Sequence, residues 1–129
     1  MSERKSRILI ADENEPNVEL LLACLRDVNC DVAVAVDGPD ALAKVDSFQP
    51  DLILLNTVLP NLSGLEVCTW IKNHRATHRV LVLMFGTLND LREIEQIVDA
   101  GADDFLSTPI VAAELRPRVD NLLRLRQCL

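Results

Sequence analysis

Apolar residues in this chain gather into short blocks separated by segments of helical period. "RILIAD" (7–12) is an apolar run that ends in acids, and "LILL" (52–55) is four apolar residues followed by one polar side chain, Asn56. "DVAVAV" (31–36), "RVLVLMF" (79–85) and "DDFLS" (103–107) are further runs of strand length. The 79–85 run is apolar almost throughout, which predicts a central strand buried on both faces. Helical patterns lie between the runs. In 17–28, Val18, Leu21, Leu22 and Leu25 share one helical face. Segment 37–48 opens with turn residues and continues as a short helix, and 64–74 places Val67, Cys68 and Ile71 inward. "LNDLREIEQIVDAG" turns Leu91, Ile94, Ile97 and Val98 inward, with Gly101 as the C-terminal cap. A last helix covers about 112–125 with Leu115, Val119 and Leu122 as its inner stripe. Pro117 lies beyond the first turn of that helix and predicts a kink or a late start.

Five strands alternating with five helices predict an α/β fold, a doubly wound five-stranded parallel sheet with five helices. Right-handed crossovers bring every strand-to-helix loop to one edge. Asp12, Glu13, Asn56, Val58, Gly86, Thr87 and Thr108 all fall at such ends. In open α/β sheets that edge is where a site is built. The best position on it carries an amide, and an amide is neither a nucleophile nor a good metal ligand.

Composition narrows the function. The 129 residues suffice for one domain with a sizeable core. A net charge of -7 argues against a nucleic-acid-binding module. Three Phe, one Trp and no Tyr leave the core to aliphatic side chains. The four cysteines form no CxxC pair and there are only two His, so no zinc site is expected. Cys24 and Cys68 read as small core residues in a reducing compartment. The basic start MSERKSR has no apolar signal region behind it, and the next apolar stretch, 8–11, is too short to span a membrane. A cytoplasmic protein without a membrane partner is expected.

The order of elements, together with "ILIADENEPN", "PDLILLNTVLPNLSGLEVC", "AGADDFLSTP" and "ELRPRVDNLLRL", resembles the receiver domain of two-component response regulators, over 8 to about 125. The resemblance implies a flavodoxin-like fold of receiver type. It also implies phosphoryl transfer to an Asp after the third strand, beside a Mg²⁺ held by that Asp, an acidic pair and a backbone carbonyl. A Ser/Thr and a Lys would bind the phosphoryl oxygens. Carried over, Asp12 and Glu13 are the acidic pair and Val58 the carbonyl, a weak or vestigial Mg²⁺ site. Asn56 stands at the phosphoacceptor position, Gly86 at the Ser/Thr position and Thr108 at the Lys position. Three catalytic positions are therefore lost, and the losses of the Asp and the Lys compensate each other in charge.

The leading expectation is a non-enzymatic signalling module that lacks the phosphoacceptor Asp and binds protein partners independently of phosphorylation, a pseudo-receiver. It is a single domain over 1–129, alone or as the N-terminal part of a longer protein. The alternative is a phosphoryl-accepting receiver in which Asn56 is an engineered or misread change; a weaker third reading is a small-ligand sensor using the acidic pocket. Asn56 is expected to hydrogen-bond Glu13 and the loop backbone. Thr57 and Thr87 read as ordinary loop hydroxyls rather than substitute phosphosites, and His74 and His78 as exposed loop residues. Phe105, in place of the family's switch aromatic, reads as a packed or half-exposed ring. Trp70 should face water with Glu66 and Asn73, either covered by a long basic side chain or acting as a binding anchor. Arg116, Arg118, Arg124 and Arg126 read as a solvated face. The resemblance implies a partner or homodimer surface on the fourth helix, fifth strand and fifth helix, and Leu125 and Leu129 extend the apolar spacing beyond the domain body. No cofactor is required, with weak Mg²⁺ binding at most, and the Thr108–Pro109 bond is expected to be cis, as the family's Lys-Pro bond is.

Overall fold

A computed structural model describes residues 5–128. Five parallel strands, β1 (Ser6–Ala11), β2 (Cys30–Ala35), β3 (Leu52–Asn56), β4 (Leu81–Gly86) and β5 (Asp104–Ser107), form one sheet in the order β2-β1-β3-β4-β5. They alternate with α1 (Glu15–Cys24), α2 (Gly38–Phe48), α3 (Gly64–Asn73), α4 (Leu91–Asp99) and α5 (Ala112–Gln127). This is the flavodoxin-like architecture expected. Alternation along the strands feeds two cores. Leu9, Ile53, Leu55, Val82 and Met84 pack with Ala41, Val45, Val67, Cys68, Ile71 and Ile97 under α2, α3 and α4. Ile8, Ile10, Leu52, Leu54, Leu83 and Phe85 pack with Leu21, Leu25, Leu115, Val119 and Leu122 under α1 and α5. β4 is buried along its whole length, as its near-continuous apolar run requires.

Helix ends follow local chemistry. Asn14 caps α1 by accepting from the Asn17 N–H at 3.0 Å, so the helix starts before the expected position 17 and ends earlier, at Cys24. Asp37, Ser63 and Asp90 cap α2, α3 and α4 in the same way. Gly101 (φ 91) ends α4. Its N–H donates to the Val98 carbonyl and that of Ala102 to the Ile97 carbonyl, the pair of bonds that closes a helix on a left-handed glycine. The Thr108–Pro109 bond is cis, as expected.

Two expectations are corrected and a third is narrowed. Leu22 is 40% exposed, so the inner stripe of α1 is Val18, Leu21 and Leu25. On α4, Leu91 (68%) and Val98 (61%) face solvent, and only Ile97 is buried. This helix lies towards the sheet edge, where β5 has four residues, and the surface there is too narrow to cover a wide apolar stripe. In α5, which begins at Ala112 as expected, Pro117 lies inside the helix, so of the two expected alternatives the late start is excluded. The carbonyl that Pro117 leaves without a donor belongs to Ala113, which is exposed, and water can satisfy it.

Candidate functional site at the carboxyl edge of the sheet

Parallel register places Ala11 beside Leu55, Asn56 beside Phe85 and Gly86 beside Ser107. Asp12, Asn56, Gly86 and Thr108 therefore stand at or one residue past the ends of four strands. The backbone ladder runs one step further, with the Thr57 N–H donating to the Phe85 carbonyl and the Thr108 N–H to the Gly86 carbonyl, both at 2.9 Å. The sequence-predicted residues are thus brought to one edge.

The acidic pair is divided. Asp12 is 1% exposed; its Oδ1 accepts from the Asn14 N–H at 3.0 Å and its Oδ2 from the Asn17 side-chain amide at 3.1 Å. Glu13 is exposed. Asn56 Oδ1 accepts from the Val58 N–H at 2.9 Å, which closes the first turn of the loop. The expected hydrogen bond between Asn56 and Glu13 does not form, while the expected bond to the loop backbone does. Val58 itself is 73% exposed. A Mg²⁺ demands near-octahedral oxygen ligation. Here the buried carboxylate already accepts two hydrogen bonds, the second lies in solvent, and the amide oxygen is engaged by the loop. Among the described residues no cluster of three or more His, Cys, Asp or Glu is placed to hold a metal. The residues fit the ion poorly.

At the ends of β4 and β5 the chain packs against neighbouring loops. A Cβ added to Gly86 would stand 2.3 Å from Thr57 Oγ1. The Thr57 hydroxyl therefore occupies the volume in which a side chain at 86 would begin. Thr108 Oγ1 lies 3.2 Å from Thr87 Oγ1, and this hydroxyl pair joins the loop after β4 to the loop after β5. Beside them Thr57, Val58, Leu65, Thr87, Leu88 and Ile97 line much of a groove of about 310 Å³. Its one carboxylate, Glu93, accepts from the Asn89 N–H at 2.8 Å. The edge offers hydroxyls and apolar surface, with no carboxylate at the end of β3.

The expected interaction residues are dispersed. Phe105 is half-buried against the core under α3 and α4. Trp70 is 40% exposed and stacks on His74, the ring centroids 3.8 Å apart and the planes at 19°. The His74 Nδ1–H donates to the Trp70 carbonyl at 2.6 Å, and both His74 and His78 are exposed. Leu125 is 48% exposed; Leu129 lies outside the described residues. Sequence reasoning missed the roles of Asn17 and Thr57. The Asn14-x-x-Asn17 spacing after Asp12 was the available signal for the first, and nothing local signalled the second.

Comparison with known proteins agrees with this fold. The family model for the response regulator receiver domain matches residues 8–120. The response regulator PleD of Caulobacter vibrioides is 37% identical over 121 residues, which cover 94% of this chain and 27% of that protein. The DNA-binding response regulator MtrA of Mycobacterium tuberculosis is 35% identical over 124 residues, covering 96% of this chain and 53% of that one. The chain thus spans about a quarter to a half of these relatives. The receiver domain of a signal transduction histidine kinase from Syntrophus aciditrophicus superimposes with a TM-score of 0.86 at 26% identity, covering 92% of this chain and 90% of that one. With its strand order and a family match over most of its length, the chain belongs to the receiver-domain family of two-component response regulators.

Proposed function

We propose that this receiver domain is a phosphorylation-independent protein-interaction module that catalyses no reaction of its own. The observation that carries the reading is Asn56 at the end of β3, with its amide oxygen held by the Val58 N–H. An amide cannot form an acyl phosphate. Two further features support it. Thr57 fills the space over Gly86, so the displacement of a Ser/Thr towards a phosphoryl group has no counterpart here. Thr108 carries no charge, and its hydroxyl faces that of Thr87. Asp12 and Glu13 bind Mg²⁺ weakly at most, and no cofactor is required.

Without a phosphoryl switch, the partner surface stands in one state or is set by a partner's own binding energy. That surface is assigned to α4, β5 and α5. Leu91 and Val98, two turns apart on α4, are exposed, as is Val111 at the start of α5. The partners are proteins of a signalling pathway or a second copy of the chain, in the cytoplasm. Among the described residues no helix is long and apolar enough to cross a membrane. The net charge of -7 supports a domain that does not itself bind nucleic acid.

The test is an amide NMR comparison of the chain with Mg²⁺ alone and with Mg²⁺ plus beryllofluoride. Spectra that coincide at Asn56, Gly86, Phe105 and along α4 are expected. Saturable shifts running from Asn56 through Gly86 to Phe105 would show a working phosphoryl switch and overturn the proposal.

A further inference from the structure

The opposite edge of the sheet contains a cavity of about 390 Å³ that the carboxyl-edge site does not use. Four arginines, Arg7, Arg75, Arg79 and Arg126, lie on its wall with two acids, Asp46 and Asp51. The chain as a whole carries 13 basic residues against 20 acidic ones. The cavity therefore inverts the charge of the molecule. Its arginines converge from three separate segments: the start of β1, the connection between α3 and β4, and the last turn of α5.

These arginines are poorly matched to protein acceptors. Among the described residues, no ion pair is made by the side chains of Arg7, Arg75 or Arg79, whereas Arg116 and Arg118 of α5 are paired with Asp120 and Asp104. Arg126 is ion-paired but not hydrogen-bonded through its Nε. Its Nε is buried, and among the described residues it is the one buried side-chain nitrogen or oxygen without a hydrogen-bond partner. It forms an ion pair with Asp51 Oδ1 at 3.8 Å, a separation beyond hydrogen-bond reach. The other oxygen of Asp51 accepts from the Arg7 N–H at 2.8 Å. A buried guanidinium N–H without an acceptor is an unfavourable arrangement unless something else supplies the oxygen.

We infer that this cavity binds a small phosphate-bearing anion. Guanidinium groups present planar forks that match phosphate oxygens two at a time. The volume falls in the range of small-molecule sites. Helix carboxyl ends also favour cations, and that effect accounts for Arg126 in the last turn of α5. It does not account for Arg75 and Arg79, which lie in a loop, or for the unpartnered Nε.

The experiment is an amide NMR titration of the full chain with inorganic pyrophosphate at constant ionic strength, with citrate and sodium chloride as parallel arms. Saturable shifts at Gln49, Thr77 and Val80, absent at Asn56 and Thr108, are expected with a Kd below about 1 mM. Arg75 and Arg79 are exposed, so the Arg75→Ala, Arg79→Ala double variant should keep its fold and weaken pyrophosphate binding at least about tenfold. Arg126→Gln should weaken it as well, with the rest of the spectrum preserved. Unsaturable shifts, shifts reproduced by chloride, an affinity unchanged in both variants, or citrate binding as tightly as pyrophosphate would each overturn the assignment. Because the readout lies at the edge remote from Asn56, it stands or falls separately from the reading of the carboxyl-edge site.

Discussion

Thr57 holds its hydroxyl where a side chain at position 86 would begin, 2.3 Å from an ideal Cβ. Contacts of that length do not persist, so a larger residue at 86 must displace Thr57. Gly86→Ala is expected to destabilise the fold by about 1–2 kcal/mol. In a Thr57→Ala background the same change should cost under about 0.5 kcal/mol, because the obstructing atom is a side-chain atom that has been removed. Gly64 provides the contrast. A Cβ there would meet the Asn56 backbone carbonyl oxygen at 2.0 Å, and backbone cannot rotate away. Gly64→Ala should cost more than Gly86→Ala, and no side-chain deletion should rescue it. Urea unfolding of the three single variants and the double variant checks both statements. Cys68 gives a further prediction. It is fully buried, and burial pushes its thiol up to about 11. A raised folded pKa means that the unfolded chain loses its proton first. The contribution is therefore fully present below about pH 9 and is lost as pH rises towards 11. Stability should fall across that interval, and the fall should be shallower in Cys68→Ala when both are followed by urea unfolding at stepped pH.

At the scale of elements, α3 and α4 show what periodicity can and cannot reveal. The expected inner residues of α3, Val67, Cys68 and Ile71, are all fully buried, because that helix crosses the broad centre of the sheet. The equally regular pattern of α4 leaves Leu91 and Val98 exposed. Spacing locates an apolar stripe, but the width of the surface beneath it depends on where the strands end. Ile97→Ala should therefore cost about 2–4 kcal/mol, while Leu91→Ala and Val98→Ala should each change stability by under about 0.5 kcal/mol. Thermal melts of the three variants separate these outcomes. The site was legible to the same degree. Motif spacing placed Asp12, Asn56, Gly86 and Thr108 at adjacent strand ends, because each lies next to an apolar run. The grip of Asn17 on Asp12 and the position of Thr57 over Gly86 were not legible. Both depend on the paths of loops through space, and the cavity on the far edge depends on three segments distant in sequence.

For the whole molecule the question is what sets its interaction surface. Leu125 is 48% exposed near the end of α5, and Leu91, Val98 and Val111 are exposed on the face assigned to partners. If a second copy covers the last helix, light scattering should show a concentration-dependent dimer that Leu125→Glu, Leu129→Glu abolishes. A monomer at every concentration, unchanged by the double substitution, would remove the argument for an interface through the last helix. The central claim, that the end of β3 takes no phosphoryl group, has a more direct test. The native chain and Asn56→Asp are incubated with Mg²⁺ and acetyl phosphate, and their intact masses are measured before and after hydroxylamine. The native chain should remain unmodified, and Asn56→Asp should be modified in at most a minor fraction, because Gly86 and Thr108 still supply neither the hydroxyl nor the cation. A stoichiometric, hydroxylamine-labile phosphoryl group on the native chain would contradict the account.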